Sequence, residues 1–256
     1  MLPSHQRTKV IPSAALAVNE TVSPCVTLPE GTPSTRPPVD SATVKDALRV
    51  PSVPSAVVID TSFASSVLDG VWRGGIGEAV RLAVASDAAL LKKVASRAEA
   101  YRNRDMSALA EIVRAVHAVR AKKGGTDFAR WAAFRLESMS GYKLPHGYAV
   151  SIGICIDLGY SVEKGLLKPA DRDRVVGLLN ACGALDGLNH SGHLLNQADN
   201  LLFGLDAWAL SRGDGALSVV CGVGKSDEVQ TADRETFRKV MNELAAAPAN
   251  DVNLVK

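Results

Sequence analysis

The stretch Trp72-Arg-Gly-Gly-Ile-Gly-Glu78-Ala-Val-Arg81-Leu-Ala83 opens the first long helical pattern of the chain. From Gly77 to about Tyr101, apolar residues recur every three or four positions and form one stripe. This period is typical of an amphipathic helix. The glycines before it lack the G-x-G-x-x-G order of a dinucleotide-binding turn. We therefore expect these glycines to form a flexible entry to the helix.

Helical periods continue over most of the remaining chain. Asp127 is a predicted N-cap and Gly141 a predicted helix stop. Residues 207–210 and 216–221 flank turn residues and predict a β-hairpin, and the β-branched run 56–60 predicts one strand. Further helices are predicted at 107–121, 127–141, 146–159, 169–182, 191–203 and 233–247. The pattern indicates a mainly α domain with one small β-hairpin.

The N-terminal part of the chain differs in composition from the rest. Nine of the twelve prolines lie in the first 54 residues, together with many serines and threonines. Such a segment cannot bury enough apolar surface to offset the entropy lost on ordering. We predict a disordered tail over residues 1–50 and one helical domain over residues 55–250.

Bulk properties exclude several classes of function. A net charge of +2 provides no basic surface for nucleic acid or an acidic membrane, and no apolar run approaches the ~20 residues that span a bilayer. The four cysteines lack metal or disulfide spacing and indicate buried thiols in a reducing compartment. Arg7 and Lys9 precede the first acidic residue, as in an organelle transit peptide, but an amphipathic Arg-rich stretch is missing. We expect a cytoplasmic protein.

Three segments, in this order along the chain, resemble the C-terminal domain of dehydroquinate synthase and related sugar phosphate cyclases. The first is the segment 72–83, where the family has G-x-x-E-x-x-K on a helix. Glu78 matches the glutamate that binds zinc in the family. Arg81 stands at the lysine that holds the substrate, and it keeps the positive charge in a planar form.

The second segment is Asp127-Phe-Ala-Arg130-Trp-Ala-Ala-Phe134-Arg-Leu-Glu137, where the family has N/D-F-G-H-x-x-x-H-x-x-E. Two histidines four residues apart project side by side from a helix and suit a metal site. In the family the first of them binds zinc and the second contacts the substrate. Arg130 and Phe134 occupy those two positions here.

The third segment begins His146-Gly-Tyr148-Ala-Val, where the family has H-G-E-A-V. The resemblance makes His146 the remaining histidine ligand for zinc and places Tyr148 at the family glutamate. Further on, Arg212 lies near a lysine that contacts phosphate in the family. The resemblance therefore implies metal ligands at Glu78 and His146 and vestigial substrate contacts at Arg81, Asp127 and Arg212.

The resemblance also implies a chemistry that these substitutions disturb. Family members use NAD, held by an N-terminal α/β domain, and a zinc ion with three protein ligands. We expect the NAD-binding domain to be absent, because a Pro/Ser/Thr-rich tail stands in its place. Arg130 has no lone pair to offer a metal, so we expect weak or absent zinc binding and an ion pair between Glu78 and Arg130.

Three hypotheses of function remain open from the sequence. The first is a divergent cyclase domain that is inactive alone and forms a homodimer or a heteromer with a full-length cyclase. The second is an active subunit of a split cyclase, completed by a separate NAD-binding chain. The third is a non-catalytic helical module that binds a partner through Phe134, Trp131 and Tyr148, although we favour the interpretation that these side chains refill a vacated cavity.

Overall fold

The computed structural model describes residues 58–212, 215–230 and 232–246, except for the side chain of His190. The predicted tail and the predicted start of the domain at residue 55 lie outside these residues. The elements in chain order are a 3₁₀ turn Thr61–Ser66, α1 Asp69–Ser86, α2 Ala88–Ala95, α3 Ala98–Arg102, α4 Met106–Lys123, α5 Arg130–Met139, α6 His146–Glu163, α7 Pro169–Ala181, α8 Leu188–Ser191, a 3₁₀ turn Gly192–Leu194, α9 Ala198–Arg212, β1 Leu217–Gly222, β2 Lys225–Val229 and α10 Arg234–Ala246. Within this part of the chain the prediction of a mainly α domain with one hairpin is confirmed, and no helix there is both long and apolar enough to cross a membrane.

Helix α6 is the central element of the domain. Every residue from Gly147 to Ser161 is buried, as its nearly continuous apolar sequence predicts. It packs against α1, α5, α7 and α10, so it has no face left for solvent. The side chains at its N-terminal end are the ones that reach the candidate site.

The glycines of the opening segment lie inside α1, so the expectation of a flexible entry was wrong. A Cβ atom at Gly74 would lie 2.9 Å from the backbone N of Tyr148, and one at Gly77 would lie 2.7 Å from the carbonyl O of Gly147. Helices α1 and α6 therefore cross with their backbones almost in contact. Glycine is needed at these positions because the two helix backbones approach closely, and not because it makes the chain flexible.

The single helix predicted from Gly77 to about Tyr101 is in fact three shorter helices. Asp87 adopts an extended conformation between α1 and α2, and its side chain accepts a hydrogen bond from the backbone N of Leu90 at 2.9 Å. This is an N-cap for α2. Lys123 also lies 3.0 Å from the Asp87 carboxylate. A periodic apolar stripe did not reveal the break, because α2 continues the same period after the turn.

The hairpin exists, but its strands lie further along the chain than predicted. Helix α9 begins at Ala198 and continues through Arg212, so the predicted strand at 207–210 is helical. Leu201, Leu202 and Leu205 are buried at helical spacing. This burial explains why the segment forms a helix and not a strand. Strands β1 and β2 pair antiparallel, with Gly224 at φ 81° in the turn between them.

The strand predicted at residues 56–60 is not seen where it can be checked. Residues 58–60 have no regular structure, and residues 56 and 57 lie outside the described part of the chain. Val58 is 90% exposed. In the part of the chain that the structure describes, only β1 and β2 form a sheet, so no strand there pairs with this run.

Helix α5 begins in an unusual way. Its N-cap position is Ala129, in the left-handed region at φ 59°, and this residue has no side-chain cap to offer. The prediction that Asp127 caps the helix was wrong. Asp157, buried on α6, accepts hydrogen bonds from the backbone N of Ala129 at 2.9 Å and from Nε1 of Trp131 at 3.0 Å. A residue distant in sequence thus caps α5.

Burial raises the pKa of Asp157 to about 7, although these two hydrogen bonds act in the opposite direction. An unfolded aspartate has a pKa of about 3.9. The contribution of Asp157 to stability is therefore complete below about pH 4 and is lost as the pH rises through about 7. We expect the unfolding free energy of the wild type, relative to Asp157→Asn, to fall by on the order of 1 kcal/mol per pH unit between about pH 5 and 7.

Urea denaturation of both proteins at each pH measures this difference. Asp199→Asn is the control, because it makes the same substitution at an aspartate whose side chain is 82% exposed. Its difference from the wild type should not follow the same slope. A pH-independent difference between the wild type and Asp157→Asn would show that Asp157 does not titrate in this range.

Candidate functional site

Residues from three helices meet in one partly buried cluster. Nε2 of His146, at the start of α6, lies 3.3 Å from Oε1 of Glu78 on α1. Nδ1 of the same ring lies 2.7 Å from Oε1 of Glu137 on α5. Arg81, one turn after Glu78, donates from Nη2 to Oε2 of Glu78 at 2.7 Å. We call these four residues the His146 cluster.

Arg81 also connects α1 to the segment that precedes α5. It is 4% exposed, and its Nη1 donates to the carbonyl oxygens of Thr126 and Phe128. The guanidinium therefore satisfies a carboxylate and two backbone acceptors at once. The planar guanidinium contacts these acceptors from two separate nitrogens, whereas a lysine carries all its donors on one nitrogen.

The electrostatics of the cluster favour charged forms of its members. Burial disfavours ionisation of Glu78, but the hydrogen bond from His146 and the charge of Arg81 outweigh it and hold the pKa of Glu78 well below its usual range. Burial also acts against a charged His146, but the hydrogen bonds to Glu137 and Glu78 raise the pKa of His146 to about 9. At neutral pH the imidazole is therefore protonated and bridges two carboxylates.

Arg130 lies beside the cluster but does not pair with Glu78. Its Nη1 is 3.6 Å from Oδ1 of Asp127, and both Glu78 oxygens are taken by Arg81 and His146. The expected ion pair between Glu78 and Arg130 was therefore wrong. Burial and the neighbouring charge of Arg81 lower the pKa of Arg130, and Glu78 acts against them. Arg130 thus adds a further positive charge close to Glu78 and Arg81.

Asp127 and Arg212, distant in sequence, lie together at the edge of the same region. Nη1 of Arg212, at the end of α9, is 2.6 Å from Oδ2 of Asp127, and its Nη2 is 3.0 Å from Oε1 of Glu228 on β2. The resemblance predicted substrate contacts at Asp127 and Arg212, and those roles stay predictions. The two contacts of Arg212 connect α9 to the hairpin and to the segment just before α5.

The three aromatic residues predicted to share one surface lie in different places. Trp131 is 1% exposed and packs edge-on against Phe237 in the core. Phe134 is 47% exposed, with its ring centroid 6.5 Å from that of His146. Tyr148 lines a separate cavity. The predicted joint lining was therefore wrong, and only Phe134 borders the His146 cluster.

These side chains do not fit a zinc site with three protein ligands. Glu78 and His146 could each donate one atom, but Arg130 stands at the third position and has no lone pair. Within residues 58–212, 215–230 and 232–246, no group of three or more His, Cys, Asp or Glu side chains is arranged to hold a metal ion. The chain's own cations, Arg81 and protonated His146, neutralise Glu78 instead.

Comparison with known proteins assigns the helical domain to a family. Residues 75–191 match the family described as 3-dehydroquinate synthase C-terminal. Residues 75–191 therefore belong to that family. The 3-dehydroquinate synthase of Geobacter sp. (strain M21) is 27% identical over 202 residues, which cover 67% of this chain and 55% of that protein. The enzyme of Citrifermentans bemidjiense is 26% identical with the same coverage.

A solved relative shares the fold. The 2-epi-5-epi-valiolone synthase from Streptomyces hygroscopicus subsp. jinggangensis 5008, with NAD+ and Zn2+ bound, superposes with a TM-score of 0.58 at 18% identity. The match covers 73% of this chain and 54% of that chain. The chain spans about half the length of the curated relatives that it matches.

Sequence reasoning missed the part that Glu137 has in this site. The residue closes the quoted segment 127–137, yet no role was assigned to it. Its position seven residues after Arg130 places it on the same face of α5, two turns further along. That spacing is the signal that could have shown it facing His146.

We expect Glu78→Gln to lower the unfolding free energy by about 2 kcal/mol. The change leaves Arg81 and protonated His146 without their shared carboxylate in a partly buried position, and breaking a fully buried pair costs about 3–5 kcal/mol. The lower figure allows for the 22% exposure of the Glu78 side chain. Urea denaturation at neutral pH measures it.

Glu243→Gln is the matched control. Glu243 carries the same side chain at 49% exposure and lies 3.9 Å from Lys239, so its loss should change stability by less than about 0.5 kcal/mol. Equal effects of the two variants would contradict the view that the cluster stabilises the fold.

Proposed function

We propose that this domain is a non-catalytic relative of the sugar phosphate cyclases, in which an internal ion-pair network has replaced the zinc site. One observation carries the proposal. Both carboxylate oxygens of Glu78, the position of a zinc ligand in the family, are engaged by Arg81 and His146. The carboxylate of Glu78 is thus already neutralised by positive charges of the protein itself.

Zinc would have to displace this arrangement. A zinc-bound histidine is neutral, so His146 would have to lose a proton that Glu137 and Glu78 hold in place. Arg81 would remain within reach of Glu78, and Arg130 would add a second guanidinium near the ion. Two fixed positive charges beside a dication raise its energy in a partly buried site. These charges support weak or absent zinc binding.

Loss of the metal would remove the central chemical step of the family. The resemblance implies that zinc polarises the reacting hydroxyl and carbonyl of the substrate while NAD accepts a hydride. We propose that this domain does not perform that step, whichever chain supplies the nucleotide. Arg81, Asp127 and Arg212 then have structural contacts where the family has substrate contacts.

Zinc titration of three proteins tests this proposal. We expect the purified wild type to contain far less than one zinc per chain. Arg130→His restores the third ligand type, and Arg130→Gln removes the same charge without adding a ligand. Arg130→His should bind zinc at least about tenfold more tightly than Arg130→Gln, because a third imidazole completes the donor set. Isothermal titration calorimetry and elemental analysis measure affinity and content.

Two results would count against the proposal. Stoichiometric zinc in the wild type would mean that the ion-pair network does not exclude the metal, and would favour an active subunit of a split cyclase. Tight zinc binding of equal affinity in Arg130→His and Arg130→Gln would mean that residue 130 does not face the metal position and that the network does not exclude the metal.

A partner-binding role is the second candidate, and the exposure of apolar side chains favours it. Phe203 and Leu210 on α9 are 60% and 83% exposed, and Phe134 is 47% exposed. Exposed apolar groups grouped on neighbouring helices commonly mark protein contacts. We propose that the partner is another sugar phosphate cyclase chain, since members of the family form dimers.

Co-purification of the tagged chain from its native cells tests this second candidate. We expect a full-length cyclase to be recovered, and Leu210→Glu to reduce its recovery at least about fivefold, because a charge in an apolar contact is costly. Ala121→Glu, which adds the same charge to an exposed position on α4, should leave recovery unchanged. Recovery of a separate NAD-binding chain, or of no cyclase, would contradict this partner.

A further inference from the structure

A cavity on the other side of the α1–α6 crossing has no assigned role. Its volume is about 910 Å³, and it lies between the start of α1, the connection from α5 to α6 and the segment 186–194. None of the four residues of the His146 cluster lines it. We call it the Tyr148 cavity. It falls in the size range of small-molecule sites, about 300–1,000 Å³.

The walls of the Tyr148 cavity divide into an apolar and a polar part. The apolar part consists of Met139, Leu144, Pro145 and Leu194. The polar part includes charged residues, hydroxyl groups and Asn189. An apolar wall with a few convergent polar groups is typical of a site that binds an organic molecule by its carbon body and orients it by its polar end.

Tyr148 contributes an unpartnered hydroxyl to the polar part. The residue is 8% exposed, and its ring is wedged between two glycines. A Cβ at Gly70 would lie 3.3 Å from its Cε2, and one at Gly187 would lie 2.7 Å from its Cβ. Its hydroxyl has no hydrogen-bond partner among the described residues, yet it is not fully enclosed by protein. The hydroxyl is therefore held in place and faces the cavity.

The two acidic residues that line the cavity are ion-paired with arginines, whereas Lys143 has no ion pair among the described residues. Arg73 is paired with Asp186 at 2.5 Å, and Asp69 is paired with Arg104 at 2.5 Å. Lys143 lines the cavity and, in the described part of the chain, has no carboxylate within ion-pair distance. Both acidic residues are thus neutralised within the protein, and the ammonium of Lys143 is available to a ligand.

Two long helices begin at the cavity, and the first turn of α1 carries one carboxylate, that of Asp69. Helices α1 and α6 have 18 residues each, and neither has a side-chain cap at its N-terminus. Asp69 and Gly70 at the start of α1, and Pro145 before α6, line the cavity. The first amide groups of a helix lack internal acceptors and carry partial positive charge. Such ends attract phosphate and carboxylate groups.

We propose that the Tyr148 cavity binds a small organic anion, a phosphate monoester or a carboxylate. The anionic group accepts hydrogen bonds from the Tyr148 hydroxyl and the Lys143 ammonium near the two helix ends. The carbon body lies against Met139, Leu144 and Leu194. This site is independent of the proposed loss of zinc, because it shares no side chain with the His146 cluster.

Titration with defined anions tests the proposal. The probes are inorganic phosphate, glycerol phosphate and acetate, added to the full chain at constant ionic strength set with chloride, and binding is followed by calorimetry. We expect saturable binding, tightest for glycerol phosphate if a phosphate monoester is the ligand, or for acetate if a carboxylate is. Tyr148→Phe and Lys143→Gln should each weaken binding about five- to tenfold, because each removes one hydrogen bond to a charged group.

Lys122→Gln is the matched control, since Lys122 is an exposed lysine on α4 outside the cavity. Tyr148→Phe retains the ring between the two glycines, so its unfolding midpoint and circular dichroism spectrum should match those of the wild type. The proposal is overturned if no probe binds the wild type, if Tyr148→Phe binds as the wild type does, or if Lys122→Gln weakens binding as much as Lys143→Gln.

Discussion

The close crossing of α1 and α6 is the constraint on which the rest of the structure depends. Gly74 and Gly77 allow the α1 backbone to lie against Gly147, and any side chain at these positions would collide with backbone atoms. Because the helices touch, Glu78 on one and His146 on the other reach each other on one side of the crossing. On the opposite side, the same contact leaves the ring of Tyr148 pressed against Gly70.

On the first side, the crossing concentrates charge without a metal. A buried carboxylate needs a compensating cation, and a zinc ion would provide it in the family. Here Arg81 and protonated His146 provide it, and Glu137 in turn balances His146. The electrostatic requirement at Glu78 is therefore met by residues that the chain already holds nearby.

On the second side, Tyr148 stands where the resemblance implies a glutamate, and Arg73 is paired with Asp186. The substitution exchanges a negative charge for a neutral hydroxyl beside Lys143 and two helix N-termini. The local charge therefore shifts toward positive at the place where the cavity opens. The two sides of one crossing therefore differ in character, since one holds a network of ion pairs around Glu78 and the other holds a cavity beside Tyr148.

The sequence by itself determined the helical class, the buried character of α6 and the family, because apolar period and ordered motifs are local properties. The resemblance to the family's zinc ligands also predicted that Glu78 and His146 lie in one site. Only the tertiary structure decided which charges pair. Arg81, not Arg130, reaches Glu78, and Asp157 of α6, not Asp127, caps α5. The spacing of three residues along α1 allows the Glu78–Arg81 pair, but the failure of Arg130 to reach Glu78 and the cap from Asp157 depend on distances between helices that cross.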